Sequence, residues 1–478
     1  MQPSQDRNGT ILIMAKIPVP LVGPTYTNRS LPVGAQVTRN FYVEVNQGGD
    51  EAVSMQPFPG LKEWGSAGDG FDRGLGVLNG ILYKVSGDEL YSVDRRGDAV
   101  LIGTILGSTR CTLVEDTAGN LVITTGHGKP YAYNGATLTL GKDGDLPKAS
   151  TAAYINDRVI YESTTGLAFA DLDTPLTVNS ANILKANTKA DGMMAVVAHR
   201  QQIFAFGAKS IEPNSFIGTG TPPYARVNNA VQQVGTSAKY SVSTNNNYIY
   251  FLDNNKQPSR MSGITIQAIG NPAIGQAIAK YSDVSDCFTV CFSFDNQDFC
   301  LFSFPTGDET WLFNEQSQLW TNLAFGVEDQ HLISDYQFVY GKHLVSDRRN
   351  GNIYEIDMNT YTDNGLVIHR QRDTISISSK DLGPPGHKLF MNSLQLVIEP
   401  GASLVTVQAT VMMQYSDDNG RTWSSERWAD IGEQGDYTYH VEWLGLGSFY
   451  NRMFRFSMSD AINWVLISAH ADVEMGLG

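Results

Sequence analysis

The densest run of residues able to do chemistry is Ser416-Asp417-Asp418-Asn419-Gly420-Arg421-Thr422-Trp423, which fits the pattern S-x-D-x-G-x-x-W. At this spacing a hydroxyl, a carboxylate and a glycine build a tight hairpin turn. Asp418 accepts backbone N–H groups, Gly420 supplies a positive φ, and Trp423 plugs the strand that follows. Ser416, Asp418, Gly420 and Trp423 are therefore read as a structural turn. Hydrolysis through a tyrosine nucleophile would further require an arginine cluster and a carboxylate partner. Arg, Tyr and Glu residues are present, but no spacing singles out such a set.

Other candidate groups are scattered. The eight histidines show no paired metal-ligand spacing, and His127 lies between two glycines, as a loop residue does. Asp143-Gly144-Asp145 lacks the remainder of a calcium loop. Cys111, Cys287, Cys291 and Cys300 form no CxxC pair, and no histidine accompanies the last three, so reduced core thiols in a protein made in a reducing cytoplasm are expected. No Walker loop, nucleophile elbow or dinucleotide fingerprint follows a strand. The residues thus predict no catalytic site, no cofactor and no metal.

Charge narrows the partners. With 34 Lys and Arg against 49 Asp and Glu, the net charge is −15, which argues against a broad basic surface gripping nucleic acid. The acidity is concentrated: residues 281–365 hold 14 Asp and Glu but three basic residues. One reading is plain solvation. The other is a wall facing DNA, where like charge prevents sticking, with Asp295, Asp298, Asp308, Glu309 and Glu315 as candidates.

The elements that must position these residues are strands. The chain has 478 residues, enough for more than one core, with 46 Gly, 21 Tyr and 21 Phe, a mixture suited to short strands and tight turns. Residues 1–70 are punctuated by Pro18, Pro20, Pro24, Pro32, Pro57 and Pro59 and read as an extended arm. Over 71–365 hairpin signals recur, such as Ile81-Leu-Tyr-Lys-Val-Ser86 followed by Glu89-Leu-Tyr-Ser-Val93. Their spacing of roughly 35–50 residues is that of four-stranded propeller blades, six or seven in number. A two-sheet sandwich also explains short strands but explains the regular spacing less well. Beyond Asn364-Gly365 the alternation changes, and 366–478 reads as a β-sandwich. One short helix is expected near Ala273–Tyr281. No run approaches the roughly 20 apolar residues of a membrane span, and Asp6 and the prolines spoil the N-terminal apolar run as an export signal, so no membrane insertion is expected.

Several stretches, in order, resemble the tail accessory factor (tail hub or nozzle) proteins of short-tailed bacteriophages. They are Gly23-Pro-Thr-Tyr26, Arg39-Asn-Phe-Tyr-Val-Glu44, Gln56-Pro-Phe-Pro-Gly-Leu61, Arg73-Gly74, Leu82-Tyr-Lys-Val85, Asp191-Gly-Met-Met194 and Ile203–Glu212. Phe251-Leu-Asp253 and Trp311 with Trp320 extend the likeness to about residue 330, while Pro213-Asn214 departs from the aromatics found there in the family. The resemblance implies a homohexameric ring, below a portal and a head-to-tail adaptor ring, through which double-stranded DNA passes without specific binding. It also implies attachment of tail spikes or fibres, closure by a tail needle or plug, assembly in the host bacterial cytoplasm, and residence in the virion. It transfers no catalytic residue. The alternative is a propeller that binds or cleaves host-surface sugar, since the Ser416–Trp423 pattern is also the Asp box of sialidases.

Overall fold

In the computed structural model, residues 4–5, 11–12, 14–27, 35–45, 52–164, 166–185, 191–399, 409–432 and 441–476 are described. The regular secondary structure of the described chain is almost entirely strand, with one α-helix, Pro272–Ala279, and the chain divides into two compact units. That helix begins at Asn271, whose side chain accepts the Ile274 N–H at 2.9 Å, and has proline at its first position.

One unit comprises Leu61–Thr310 and Gln330–Asp357 and is a β-propeller. Five complete antiparallel sheets of four strands follow one another, opening at Asp72–Leu78, Thr112–Glu115, Ala152–Ile155, Met193–His199 and Ser243–Thr244. A sixth sheet opens with Phe288–Phe294 and Gln297–Phe304, and the line between the units runs through its third strand, after Thr310. The seventh consists of Ile333–Val339, Lys342–Asp347 and Asn352–Asp357 with Gly60–Ser66 as its fourth strand. An early strand thus completes the last sheet and closes the ring. Among the described residues the blade count is seven, within the expected six or seven.

Local sequence explains the repetition. In five sheets the first and second strands are joined by two residues of positive φ, the geometry that matches strand twist in a hairpin. These pairs are Asn79-Gly80, Asn156-Asp157, Arg200-Gln201, Asp295-Asn296 and Tyr340-Gly341. Apolar clusters then lie between neighbouring sheets. Leu78, Tyr83, Ile123 and Tyr133 join the first to the second, and Phe206, Ile211, Phe251 and Met261 join the fourth to the fifth. Leu75, Leu82 and Val93 of the first sheet pack with Val339, Leu344 and Ile353 of the seventh, so hydrophobic contact also joins the last sheet to the first.

Buried charges reinforce the closure. Lys84 Nζ lies 2.6 Å from Asp72 Oδ1, both side chains fully buried, and Ser346 Oγ of the seventh sheet donates to Asp72 Oδ2 at 2.9 Å. Arg73, also buried, donates to the carbonyls of Gly87, Ile105 and Thr109 at 2.8 Å each, tying the first sheet to the segment that leads into the second.

The other unit, Met1–Gly60 with Trp311–Asp329 and Met358–Gly478, contains the β-sandwich. One sheet runs Val441–Phe449, Leu389–Ile398, Leu466–Met475, Val53–Pro57, Phe41–Val45. The other includes Thr38–Arg39, Arg370–Asp373, Asn451–Met458, Thr410–Ser416 and Arg427–Asp430. Alternate residues of the long strands meet in a core that includes Phe41, Leu394, Met413, Phe454, Phe456 and Trp464. Where the sequence reading draws three consecutive segments, both units draw on separated stretches of chain. Met14–Val19 pairs with Leu466–Met475 as an edge strand, where Pro18 lacks nothing by having no N–H to donate. Buried Arg372 holds the following residues: it donates to the carbonyls of Leu21 (2.5 Å) and Pro24 (3.0 Å), to Thr38 Oγ1 (2.7 Å) and to Gln36 Oε1 (2.6 Å).

Candidate functional site

The Ser416–Trp423 run leaves the strand Thr410–Ser416 and turns through Asn419 (φ 63°) and Gly420 (φ 84°). Ser416 Oγ donates to Asp418 Oδ1 at 2.7 Å and accepts the Gly420 N–H at 2.8 Å. Asp418 Oδ1 also accepts the Arg421 and Thr422 N–H groups at 3.0 and 2.9 Å, and Thr422 Oγ1 donates to Oδ2 at 2.6 Å. The Thr422 hydroxyl, with these backbone donors and Ser416, holds the Asp418 carboxyl far below the usual carboxylate range. Every polar partner here belongs to the turn itself, as a structural element requires. Trp423 lies under the Arg455 guanidinium, 3.9 Å from its ring centroid, and Arg455 is itself fixed by two hydrogen bonds to Asp373 (2.8 and 2.7 Å). Asp417, which the pattern leaves unassigned, pairs through both oxygens with buried Arg452 at 2.6 and 2.7 Å. The turn is thereby bound to the neighbouring strand Asn451–Met458.

The five candidate acids do not form one cluster. Asp295 is exposed in the hairpin turn between Phe288–Phe294 and Gln297–Phe304, and Asp298 accepts a hydrogen bond from Ser293 Oγ at 2.5 Å. Asp308 and Glu309 follow the far end of Gln297–Phe304, roughly 20 Å away at the rise of a strand. Asp308 is exposed with φ 49°, while Glu309 accepts the Tyr281 hydroxyl. Glu315 belongs to the sandwich-containing unit and accepts from Gln318 Nε2 at 3.2 Å.

A cavity of about 410 Å³ opens in the propeller at the end where the innermost strands begin. Residues at or just before the first strands of the first, second, fifth, sixth and seventh sheets reach it, including Arg110, Lys239, Tyr240, Asp286 and Phe288, and so does Arg348, which directly follows the second strand of the seventh sheet. Arg110 donates to Ser334 Oγ and its carbonyl at 2.7 and 2.8 Å, and its guanidinium lies 4.1 Å from the Phe288 ring centroid. Lys239 Nζ donates to Ser150 Oγ at 2.9 Å, and Tyr240 donates to the Arg110 carbonyl at 2.8 Å. Burial pushes the Tyr240 hydroxyl up to about 12, so it remains a donor at neutral pH. Sequence alone does not single these residues out: most precede a first strand, Arg348 follows a second one, and what unites them is visible only when the strands converge.

Cys111, Cys287 and Cys300 are buried, and burial raises the Cys111 thiol to about 12, which leaves it protonated and unreactive at neutral pH. Among the described residues no group of three or more His, Cys, Asp or Glu is arranged to hold a metal ion, and no helix is long and apolar enough to cross a membrane.

Comparison with solved structures gives distant likenesses. A computationally designed protein, Ika8, is 10% identical with a TM-score of 0.41, covering 62% of this chain and 99% of its own. The extracellular domain of the putative one-component system BT4673 from B. thetaiotaomicron is 9% identical with a TM-score of 0.44, covering 89% of this chain and 62% of its own. The Neurospora crassa Pan2 WD40 domain is 7% identical with a TM-score of 0.41, covering 60% and 89%. No curated protein matches the chain. Two family profiles do: "Bacteriophage P22 Gp10, beta-propeller" over residues 16–361, and "Bacteriophage P22 Gp10, beta-sandwich" over residues 375–474. Matched in order over nearly its whole length, the chain belongs to the bacteriophage P22 Gp10 family and is a structural component of a phage tail.

Proposed function

We propose that this tail protein is a hub or nozzle subunit: copies assemble into a homohexameric ring below an adaptor ring, DNA leaves the head through the ring, and spikes or fibres attach to it. The observation that carries the reading is the match of both Gp10 segments, propeller and sandwich, on a single chain. A ring subunit needs rigid surfaces, and the apolar packing of the first sheet against the seventh supports rigidity in the propeller. The role calls for no reaction centre, which agrees with an Asp-box-like turn whose polar groups satisfy one another. Closure by a needle or plug and assembly in the host cytoplasm belong to the same reading.

Some of the acidic residues would face the channel. Attraction to phosphates would act as a salt-sensitive brake on moving DNA, whereas like charge keeps the duplex from sticking. Asp295 with Asp298 and Asp308 with Glu309, at opposite ends of one strand, would mark two levels of such a wall. Electron microscopy of the purified full chain, alone and with its adaptor protein, tests the assignment. Six-fold rings that stack on the adaptor are expected, and a protein that stays monomeric with the adaptor present would refute it.

A further inference from the structure

We propose that the propeller cavity is a binding site for a carboxylate-bearing sugar residue. Its volume of about 410 Å³ lies within the range of pockets that enclose small ligands, about 300–1,000 Å³. The lining combines three kinds of group. Tyr240 and Pro305 offer apolar surface to a ring's C–H face; Lys239 and Arg348 offer cationic donors; Asp286 offers an acceptor for hydroxyls.

The mixture of cationic donors and an acid suits a monoanion carrying hydroxyls. In a chain of net charge −15, Arg110, Lys239 and Arg348 line this cavity with two acids, and one of those, Asp72, is neutralised by Lys84 at 2.6 Å. The carboxylates of Glu162 and Asp335 do not line it. Glu162 interacts with Lys239 and Asp335 with Arg110, so the surroundings are close to charge-balanced and the lining presents cationic donors beside an acid. Asp286 would oppose a dianion such as phosphate yet accept from a sugar hydroxyl.

A second observation points the same way. Gln330 Nε2 and Asp286 Oδ1 belong to lining residues, are buried, and have no hydrogen-bond partner, although Asp286 Oδ2 accepts the Thr306 N–H at 2.7 Å. Buried polar groups are ordinarily paired. A donor and an acceptor both left open beside one cavity suit a ligand that both accepts and donates, as a uronate does.

The inference requires only the folded propeller and is independent of the ring assignment. Titration of the full-length protein with D-glucuronate, followed by ligand-observed NMR and calorimetry, tests it, with D-glucose and inorganic phosphate as comparison ligands. Saturable glucuronate binding is expected, at least tenfold tighter than either comparison. Lys239→Met and Arg348→Met should each weaken it about tenfold or more. Ser285→Trp, at an exposed lining position, should block it by bulk while leaving charge unchanged and the thermal transition in place. Absent glucuronate binding, equal affinity for glucose, tighter binding of phosphate, or binding that survives Ser285→Trp would each overturn the proposal.

Discussion

Lys84→Met removes the cation from a pair that lies inside the ring closure. Both side chains of the Lys84–Asp72 pair are fully buried, and Asp72 also receives Ser346 Oγ from the seventh sheet. Methionine retains the apolar stem of the lysine, so packing is largely preserved and the main change is an uncompensated buried carboxylate. Breaking a buried pair in this way costs about 3–5 kcal/mol. For a unit of this size each kcal/mol moves the midpoint by roughly 2–4 °C, so the propeller transition should fall by about 10 °C. The double variant Asp72→Asn/Lys84→Met removes both charges and keeps an acceptor for Ser346. It should recover most of the loss, because replacing both members of a buried pair is often nearly neutral. Differential scanning calorimetry of the wild type, both single variants and the double variant measures the coupling. A Lys84→Met midpoint within a degree or two of wild type, or a double variant no better than the single, would refute the account of the closure.

Three other outcomes are expected. Arg372→Met strips four hydrogen bonds from Leu21, Pro24, Gln36 and Thr38; it should cost roughly 3 kcal/mol and expose residues 20–27 to limited proteolysis, and an unchanged digestion pattern would count against the clamp. Asp418→Ala should lower the sandwich transition without altering any turnover, and the purified chain should release no sugar from sialosides. The folded-state pKa of Asp418 is depressed, so its contribution is present above the unfolded carboxylate value and lost as pH falls through the folded one; the gap between wild type and variant, followed by thermal melts, should therefore shrink in acid. Replacing Asp295, Asp298, Asp308, Glu309 and Glu315 with Asn or Gln should leave assembly intact and slow DNA ejection, most at low salt, where charges are least screened; wild-type ejection rates at every ionic strength would remove these residues from the channel.

Much of the fold was legible because its signals are local. Ile81–Ser86 and Glu89–Val93 alternate as a hairpin should, and Asn79-Gly80 is a recognisable two-residue turn. Arg200-Gln201 performs the same turn without the usual residues, so the recurrence of this device in five sheets could not be read directly. The sequence reading puts Gly60–Ser66 in the arm because its partners, Asn352–Asp357 and its neighbours, lie nearly 300 residues away in sequence. No local pattern encodes such a pairing. The Asp418 turn could be read from spacing, since its bonds are made within seven residues. Asp417 could not, since its role depends on Arg452 arriving from another strand. The cavity was invisible for the same reason: Arg110, Lys239 and Arg348 share a wall only after separate sheets converge.

The central claim, a hub subunit, is tested most directly by cryo-electron microscopy of intact virions of the phage that encodes this chain, with its seven-bladed propeller and sandwich fitted into the tail density. The account predicts six copies in a ring immediately below the adaptor, surrounding the DNA path. Density that places the chain away from that path, or outside any closed ring, would contradict it.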